Sequence, residues 1–276
     1  GTIDEASLRG LVDWQIKSKV EFLVPCGSTG ESATMTRAER RRVIEIVVDQ
    51  NSGRVPIIAG TGTNSTLDSL DLTHDAKEVG ADAVLLVGPC YNKPTQEGFY
   101  QHFKRIVEEC NVKAVLYNVP GRTASNMLPE TTLRIAEEVE NVIAIKEASN
   151  NLEQIMQIIK YRPKNFAVLS GEDSLTLPII TAGGDGVISV ISNEVPKEYS
   201  DLTRAALKGD LKRAQELHYK LFELMKANFY ESNPIPVKTA LHLMGRIDES
   251  LRLPLTKISK PNREKLKKVL KDLKLI

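Results

Sequence analysis

The sequence is poor in cysteine and nearly free of net charge. It has three cysteines in 276 residues, and none of them belongs to a C-x-x-C pair. An odd number of unpaired cysteines fits a reducing compartment better than a disulfide framework, so we expect a cytoplasmic protein. The 37 Lys and Arg residues offset the 36 Asp and Glu residues to a net charge of +1, so no bulk field attracts nucleic acid or an anionic membrane. The expected partner is a small molecule or another protein.

Long apolar runs and several familiar site motifs are also lacking. No stretch approaches the roughly 18 uninterrupted apolar residues of a membrane span, and the N-terminus has an amphipathic helix pattern rather than a signal peptide. The P-loop spacing and the G-x-S-x-G elbow of serine hydrolases are absent, and residues 60–62 lack the third glycine of a dinucleotide fingerprint. The histidines show no metal-binding spacing; they are His74, His102, His218 and His242. We therefore predict neither a metal nor a cofactor.

What the sequence does contain is a regular alternation of short apolar runs and amphipathic segments. Seven apolar runs have the pattern of strands, at 22–26, 56–60, 83–88, 114–118, 142–146, 167–170 and 186–190. Helical periodicity fills the intervals, at 37–49, 65–78, 96–110, 130–138, 152–160 and 174–182. A further helix is predicted at 2–18, with Asp4 as its N-cap. The alternation predicts parallel strands joined by right-handed crossovers.

Two α/β architectures fit this alternation, a doubly wound open sheet and an eight-stranded (β/α)8 TIM barrel. Seven runs are one short of a barrel, so in a barrel the first strand would be missing from this chain, just upstream of Gly1. After the last run the patterns are purely helical, at 195–207, 211–229, 234–244 and 263–273. The first of these completes the last β-α unit. In the barrel case, residues 1–208 form the barrel domain and residues 209–276 a C-terminal helical appendage.

The run 142–146 ends in a lysine. The four residues before this lysine are apolar, which is the pattern of a strand buried on both faces. A lysine buried at such an end has a lowered pKa, and its neutral amine is a nucleophile. The plainer alternative is that the strand has ended and Lys146 points into water or pairs with Glu147. If Lys146 faces the interior, Glu147 faces the opposite side, so burial and nearby tyrosines should lower the pKa of the lysine.

Hydroxyl groups and glycines are concentrated where the other runs end. They occupy residues 27–32, 60–62, 88–92 and 117–123. Each feature alone has an ordinary explanation: a tight turn for the first segment, core-capping rings for Tyr91 and Tyr117, and a surface charge for Arg122. Together with Lys146 they make a site for carbonyl chemistry through a Schiff base. The amine attacks a ketone, a tyrosine relays protons, and N–H groups beside glycines hold the carboxylate of a 2-keto acid.

Longer motifs resemble one known family over essentially the whole chain. They are GSTGES at 27–32, AGTG at 59–62, YNKPTQEG at 91–98, YNVPGRT at 117–123, IKEA at 145–148, LSG at 169–171, GGDGVISV at 183–190 and NPIPVK at 233–238. The chain is similar to the pyruvate-dependent class I aldolases of the dihydrodipicolinate synthase and N-acetylneuraminate lyase group. The resemblance implies a (β/α)8 barrel with a C-terminal helical domain. It also implies a lyase that condenses pyruvate with L-aspartate 4-semialdehyde in lysine and diaminopimelate biosynthesis.

The resemblance implies catalytic roles for four residues. Lys146 takes the place of the lysine that forms the imine with pyruvate, and Tyr117 that of the tyrosine that relays protons. Ser28 and Tyr91 take the places of its two partners in a hydroxyl triad. In the family, the tyrosine at Tyr91 reaches into the neighbouring subunit's site. A dimer is then the minimum working unit, and a homotetramer built as a dimer of dimers is expected.

The resemblance implies binding roles for four more residues. Thr29 matches a contact of the pyruvate carboxylate, and Gly171 and Ile188 line the same pocket. Arg122 matches the arginine that binds the carboxylate of the aldehyde substrate, a residue that separates the synthases from the neuraminate lyases. Two alternatives stay open. The first is another pyruvate-dependent aldolase, such as N-acetylneuraminate lyase or a 2-keto-3-deoxy sugar acid aldolase; the second is a non-catalytic barrel that binds a keto acid.

The chain also departs from the family pattern. Ser28 occupies a position that is more often threonine, and the hydroxyl is retained. Arg40 and Asp68 stand where lysine-sensitive members tend to carry histidine and glutamate, so we expect weak feedback inhibition by lysine. Lys19 replaces a glycine at the end of the first helix, which predicts a non-glycine residue with positive φ.

Overall fold

A computed structural model describes residues 2–276, and six parallel strands lie within them. They are β1 (Ile58–Gly60), β2 (Ala83–Val87), β3 (Ala114–Asn118), β4 (Val142–Glu147), β5 (Ala167–Ser170) and β6 (Gly186–Val187). Each strand pairs with the next one in the chain. A doubly wound sheet would reverse its strand order at a switch point, so this sequential order favours the barrel-like alternative. Gly1, and the strand expected before it, lie outside the described residues.

Helices follow the strands along the chain. The α-helices are α1 (Glu5–Lys17), α2 (Arg37–Asn51), α3 (Thr66–Val79), α4 (Gln96–Cys110), α5 (Pro120–Thr123), α6 (Pro129–Glu138), α7 (Leu152–Tyr161), α8 (Thr176–Thr181), α9 (Pro196–Leu207), α10 (Leu211–Ala227), α11 (Ile235–Leu243) and α12 (Lys260–Asp272). Short 3-10 helices lie at Ser28–Gly30, Ser32–Thr34, Asp173–Leu175 and Ile191–Asn193. The predicted helices agree with these bounds to within one turn, and α5 was not predicted.

Local signals explain where the first helices begin and end. The Asp4 carboxylate accepts a hydrogen bond from the backbone N–H of Ser7 at 3.0 Å, which confirms it as the N-cap of α1. Thr36 and Glu39 form a capping box at the start of α2. After α1, Lys19 has a φ of 65°, as its replacement of a glycine predicted.

The sheet curls around a core of its own. Alternate side chains of the strands point inward, and with residues beside the strands they form one cluster. Its buried members are Leu85, Val115, Tyr117, Val119, Ala144 and Ile188, and Phe22, Val24, Ile58 and Leu169 pack against them. Because residues from both edges of the sheet join this cluster, the sheet curves back on itself. The remaining strand side chains, such as Leu86, Leu116 and Ile145, belong to a separate core with the helices.

The predicted strand at 22–26 is not a regular strand. Leu23 makes an isolated parallel bridge with Ile57, just before β1. Pro25 has no N–H to continue the ladder, and Cys26 has a φ of 58° that turns the chain away. The segment still lies beside β1, because the Pro25 carbonyl oxygen accepts a hydrogen bond from Gly60 at 2.9 Å.

The helices from α9 onward share a further core. Its buried residues include Tyr199 and Leu202 of α9 and Leu221 of α10. Helix α12 contributes Leu266 and Leu270. Across residues 2–276, no helix combines the length and the apolar character that crossing a membrane requires.

Candidate active site

Lys146 is held inside the curled sheet by its position on β4. Ile145 packs among the helices, so Lys146 faces the interior and Glu147 faces the helices again. Strand β4 pairs with β3 so that Lys146 is the register partner of Tyr117. Its Nζ lies 4.3 Å from the centroid of the Tyr117 ring. Only 9% of Lys146 is exposed, which excludes the plain surface lysine that the sequence left open.

Burial lowers the pKa of the Lys146 ammonium from 10.5 to about 8. The positive charge of Arg122 lowers this pKa further, whereas the carboxylates of Asp173 and Glu172 raise it. Burial is therefore the main cause, as predicted. The nearby tyrosines, which were also predicted to lower this pKa, are not among its causes, and the two carboxylates were not foreseen. With a pKa of about 8, roughly a tenth of the amine is neutral at pH 7.

Tyr117 is buried next to the amine and keeps its proton. Burial raises the pKa of its phenol to about 12; Arg122 lowers this pKa and Glu172 raises it. A phenol in this state is neutral at physiological pH. It can donate a proton to a reacting oxygen or nitrogen and accept one through its lone pairs.

Gly171 makes room for the side chain of Lys146. Its N–H donates to the carbonyl oxygen of Glu147 at 2.7 Å, which continues the pairing of β5 with β4. A Cβ at this position would lie 3.1 Å from Cε of Lys146 and 2.7 Å from Cβ of Ala148. Any larger residue would therefore displace the lysine or its neighbour.

Asn233 connects the segment before α11 to the loop that carries Thr29. Its Nδ2 donates to Oγ1 of Thr29 at 2.9 Å. Its carbonyl oxygen accepts a hydrogen bond from Nη2 of Arg122 at 3.5 Å. Asn233 is buried. The sequence places it in a motif, but only the structure shows that it touches two predicted binding residues.

Seven of the eight predicted site residues line one open cavity of about 1360 Å³. They are Ser28, Thr29, Tyr117, Arg122, Lys146, Gly171 and Ile188. The cavity continues past the site toward α1 and α9, where Leu11 and Thr203 line it. Its volume therefore includes much more than the space around the lysine.

Tyr91 is the predicted residue that does not join the others. It follows β2, has a φ of 70°, and is 89% exposed. Its side chain is not part of the cavity wall within the described chain. The single chain therefore presents this phenol to the outside.

Two carboxylates after β5 were missed by the sequence reasoning. Glu172 lines the cavity, and Asp173 is buried beside it. The Asp173 carboxylate accepts hydrogen bonds from the N–H groups of Val190 and Ile191 at 3.1 and 2.8 Å. Burial raises the pKa of both acids. The signal was available, because both residues closely follow the carboxyl end of β5, and Lys146 lies at the carboxyl end of β4.

The arrangement suits addition of an amine to a carbonyl group. A partly neutral lysine amine lies at the cavity wall, and a neutral phenol covers it. Thr29 and Arg122 line the same cavity, and a hydroxyl and a guanidinium can each hold a carboxylate. Such a site can form an imine with a keto acid.

Comparison with known proteins gives the family. A family model described as the dihydrodipicolinate synthetase family matches residues 1–273. The chain belongs to this family. Among its relatives, the 4-hydroxy-tetrahydrodipicolinate synthase of Oleidesulfovibrio alaskensis is 52% identical over 270 residues, which cover 98% of this chain and 92% of the relative.

Solved structures of family members agree with this fold. The dihydrodipicolinate synthase of Aquifex aeolicus matches with a TM-score of 0.97 and 46% identity, over 99% of this chain and 93% of that one. The chloride-inhibited enzyme of Acinetobacter baumannii, in complex with pyruvate, matches with a TM-score of 0.97 and 43% identity, over 99% of this chain and 94% of that one. The curled parallel sheet is therefore the α/β barrel-like fold of this family.

Proposed function

We propose that this chain condenses pyruvate with L-aspartate 4-semialdehyde, the 4-hydroxy-tetrahydrodipicolinate synthase reaction, through a Schiff base on Lys146. It is then a lyase of lysine and diaminopimelate biosynthesis. The observation that carries the proposal is the buried Lys146 amine, with a pKa of about 8, beneath the ring of Tyr117. Family membership supports it, as does a relative of that name at 52% identity.

The first half of the reaction takes place on pyruvate. The neutral amine of Lys146 adds to the ketone carbon, and loss of water gives an imine. The imine withdraws electrons from the adjacent methyl carbon, which loses a proton and becomes an enamine. We assign the transfer of these protons to the phenol of Tyr117, whose ring centroid lies 4.3 Å from the nitrogen.

The second half joins the two substrates. The enamine carbon attacks the aldehyde carbon of the semialdehyde, a carbon–carbon bond forms, and the aldehyde oxygen takes a proton to become a hydroxyl. The amino group of the semialdehyde then adds to the imine carbon and displaces Lys146. This step closes the ring of the product and returns the lysine as a free amine.

Three hydroxyl groups take part in the proton transfers, those of Tyr117, Ser28 and Tyr91. We assign the relay to Tyr117, with Ser28 and Tyr91 as its partners. Ser28 lies on the cavity wall beside Thr29, a position that supports this assignment. Tyr91 is 89% exposed in the single chain, so its contribution requires a second subunit that brings it to the neighbour's cavity. This requirement supports a dimer as the working unit, and the homotetramer is proposed from the family resemblance alone.

The two carboxylates of the substrates take separate places. Thr29 and the backbone N–H groups beside it hold the carboxylate of pyruvate, between Gly171 and Ile188. Arg122 binds the carboxylate of the semialdehyde, because a guanidinium offers two parallel donors to a carboxylate. The position of both residues on one wall, connected through Asn233, supports this division.

The architecture proposed for this enzyme is a (β/α)8 barrel over residues 1–208 with a helical domain over residues 209–276. The six strands and the Leu23 segment supply seven places around the interior cluster. Val24 and Val187, which lie at the two ends of this series, line the open cavity. Helices α10 and α12 of the helical domain share a core with α9, the last helix of the barrel domain. The proposed place of action is the cytoplasm, because three cysteines without a C-x-x-C pair fit a reducing compartment.

The imine can be trapped directly. The protein is incubated with pyruvate, reduced with borohydride, digested and analysed by mass spectrometry. We expect one adduct, on Lys146, and an unmodified protein would overturn the mechanism. A coupled assay that compares aspartate semialdehyde with N-acetylneuraminate then identifies the substrate. Cleavage of neuraminate with no condensation would favour the lyase alternative, and adduct formation without either reaction would favour a keto-acid-binding barrel.

A further inference from the structure

Glu147 lies next to Lys146 in the chain but on the opposite face of β4, and it is fully buried. Its carboxylate accepts hydrogen bonds from the N–H of Ser149 at 2.8 Å, from Nε2 of Gln154 at 3.1 Å and from Nδ2 of Asn118 at 3.2 Å. All these partners are amides rather than cations. A buried carboxylate held in this way is costly, because its charge is removed from water without an opposite charge nearby. The cost of burying this carboxylate points to a role for Glu147 other than filling space in the core.

The amide partners are themselves held in place. Oδ1 of Asn118 accepts from the N–H of Met127 at 3.0 Å, and its Nδ2 donates to Oδ1 of Asn126 at 2.8 Å. Asn126 and Gln154 exchange two hydrogen bonds, at 2.9 and 3.2 Å. The four side chains of Glu147, Asn118, Asn126 and Gln154, here called the outer amide cluster, therefore form a closed network. It joins β3, β4, α7 and the loop before α6.

The outer amide cluster lies directly behind the reacting pair. Asn118 follows Tyr117 on β3 and Glu147 follows Lys146 on β4, and the register pairs Asn118 with Glu147 just as it pairs Tyr117 with Lys146. The hydrogen bonds between Glu147 and Asn118 thus join the two strands one residue beyond the lysine and the tyrosine. A shift of either strand would break them.

We propose that Glu147 is a positioning residue, whose hydrogen bonds to Asn118 and Gln154 hold the Lys146 amine beneath the Tyr117 ring. The proposal rests on the proposed function of Lys146. Neither Glu147 nor the rest of the outer amide cluster touches the substrate. Their effect reaches the reaction through the backbone of β3 and β4, so it appears in the rate of imine formation rather than in substrate specificity.

The first test is Glu147→Gln, which keeps the shape and removes one acceptor. The new amide group must turn an N–H toward the N–H groups of Asn118 or Gln154, which pushes the strands apart. We expect imine formation at saturating pyruvate, followed by borohydride quenching, to slow about ten- to a hundredfold, since misplacing a reacting group by an ångström has that effect. The pH midpoint of the reaction should stay near that of the unchanged enzyme, because Glu147 acts through position.

The second test exchanges the donor and the acceptor. In the double variant Asn118→Asp with Glu147→Gln, the carboxylate moves to β3 and the amide to β4. Rotation of the Asn126 and Gln154 amides then satisfies every hydrogen bond among the four side chains. The bond that Asn118 Nδ2 donates to the carbonyl oxygen of Met127 at 3.4 Å is lost. Each single change should slow imine formation, whereas the double variant should return to within a fewfold of the unchanged enzyme. A folded double variant as slow as either single variant would contradict the proposal.

The matched control is Glu194→Gln. Glu194 is another buried glutamate, and it also accepts a hydrogen bond from an asparagine, Asn228, at 2.7 Å. It lies outside β3 and β4, so its substitution should leave the rate of imine formation unchanged. The proposal fails if Glu147→Gln reacts as fast as Glu194→Gln. If the unchanged enzyme forms no adduct, the function assigned to Lys146 fails instead.

Discussion

Lys146 and Tyr117 are register partners on neighbouring strands, and the lysine Nζ lies 4.3 Å from the centre of the tyrosine ring. The ring face attracts a cation by roughly 0.5–2 kcal/mol, which favours the charged amine. Burial disfavours it more strongly, because the pKa falls from 10.5 to about 8, which corresponds to roughly 3 kcal/mol. Burial therefore outweighs the attraction of the ring, and part of the amine is neutral and reactive at physiological pH.

Replacing Lys146 with methionine should remove the imine and stabilise the protein. The folded-state pKa of about 8 lies below the ordinary value of 10.5. Below pH 8 both states are protonated, so the folded state bears the full cost of the buried charge, roughly 3 kcal/mol. Between these pKa values the unfolded chain binds more protons, so the stability of the unchanged protein rises with pH. Urea titrations should show a much larger free energy of unfolding for Lys146→Met than for the unchanged protein at pH 7, and a similar one at pH 10. An equal difference at both pH values would contradict this.

Tyr117→Phe should lower kcat by about 10²- to 10⁴-fold, the usual contribution of a proton-transferring group. The ring remains over Lys146, so the thermal midpoint and the pKa of the lysine should change little. The measurement is steady-state kinetics beside a thermal melt. Glu147→Gln is the comparison, and it should cost less than Tyr117→Phe. A larger loss of kcat in Glu147→Gln than in Tyr117→Phe would mean that the inward and outward faces of β4 are assigned the wrong way round.

Arg122 should affect both the pH dependence and the second substrate. Imine formation should increase as pH rises through about 8, because the neutral amine is the nucleophile. Arg122 lowers the pKa of Lys146, so Arg122→Gln should move the midpoint to higher pH and raise the KM of the semialdehyde. Arg122→Lys keeps the charge and loses the paired donors, so it should retain the midpoint and still raise this KM. If the pH midpoint of imine formation is equal in the unchanged enzyme, Arg122→Gln and Arg122→Lys, the charge of Arg122 has no effect on the pKa of Lys146.

Gly171→Ala should disturb Lys146 directly. The added Cβ would lie 3.1 Å from Cε of the lysine and 2.7 Å from Cβ of Ala148, and overpacking of this kind typically costs about 1–3 kcal/mol. We expect a lower thermal midpoint and slower imine formation. The control is Gly10→Ala in α1, where an added Cβ meets nothing within 4 Å. That change should stabilise the helix by about 0.5–1 kcal/mol and leave imine formation unaltered.

Lysine should inhibit this enzyme weakly. Arg40 stands where lysine-sensitive members tend to carry histidine, and its Nε donates to the carbonyl oxygen of Ser32 at 2.9 Å. A permanent positive charge there disfavours a ligand that carries ammonium groups. Initial rates measured over a series of lysine concentrations should remain nearly constant. Clear inhibition at sub-millimolar lysine would refute this expectation.

The sequence reveals most of the fold, because the alternation of strands and helices is a short-range pattern, whereas the roles predicted for most of the site residues come from the family motifs. Strand alternation places Lys146 inward and Glu147 outward, and strand ends mark Ser28, Thr29 and Tyr117. The prediction of a regular strand at 22–26 was wrong, although Pro25, which has no N–H for a strand ladder, argued against it. The contact of Asn233 with Thr29 could not be predicted, since nothing local joins residues 204 positions apart.

The side chain that holds Thr29 is among the later residues that a ribosome adds to this chain. Lys146, Tyr117 and Thr29 all emerge before Asn233. Because a nascent chain begins to fold from its N-terminal end, the strands can come together and bury the amine while the partner of Thr29 does not yet exist. A prematurely terminated chain would then carry a reactive lysine beside an unfinished carboxylate pocket. The hydrogen bond that holds the Thr29 hydroxyl thus forms only after Asn233 has been added.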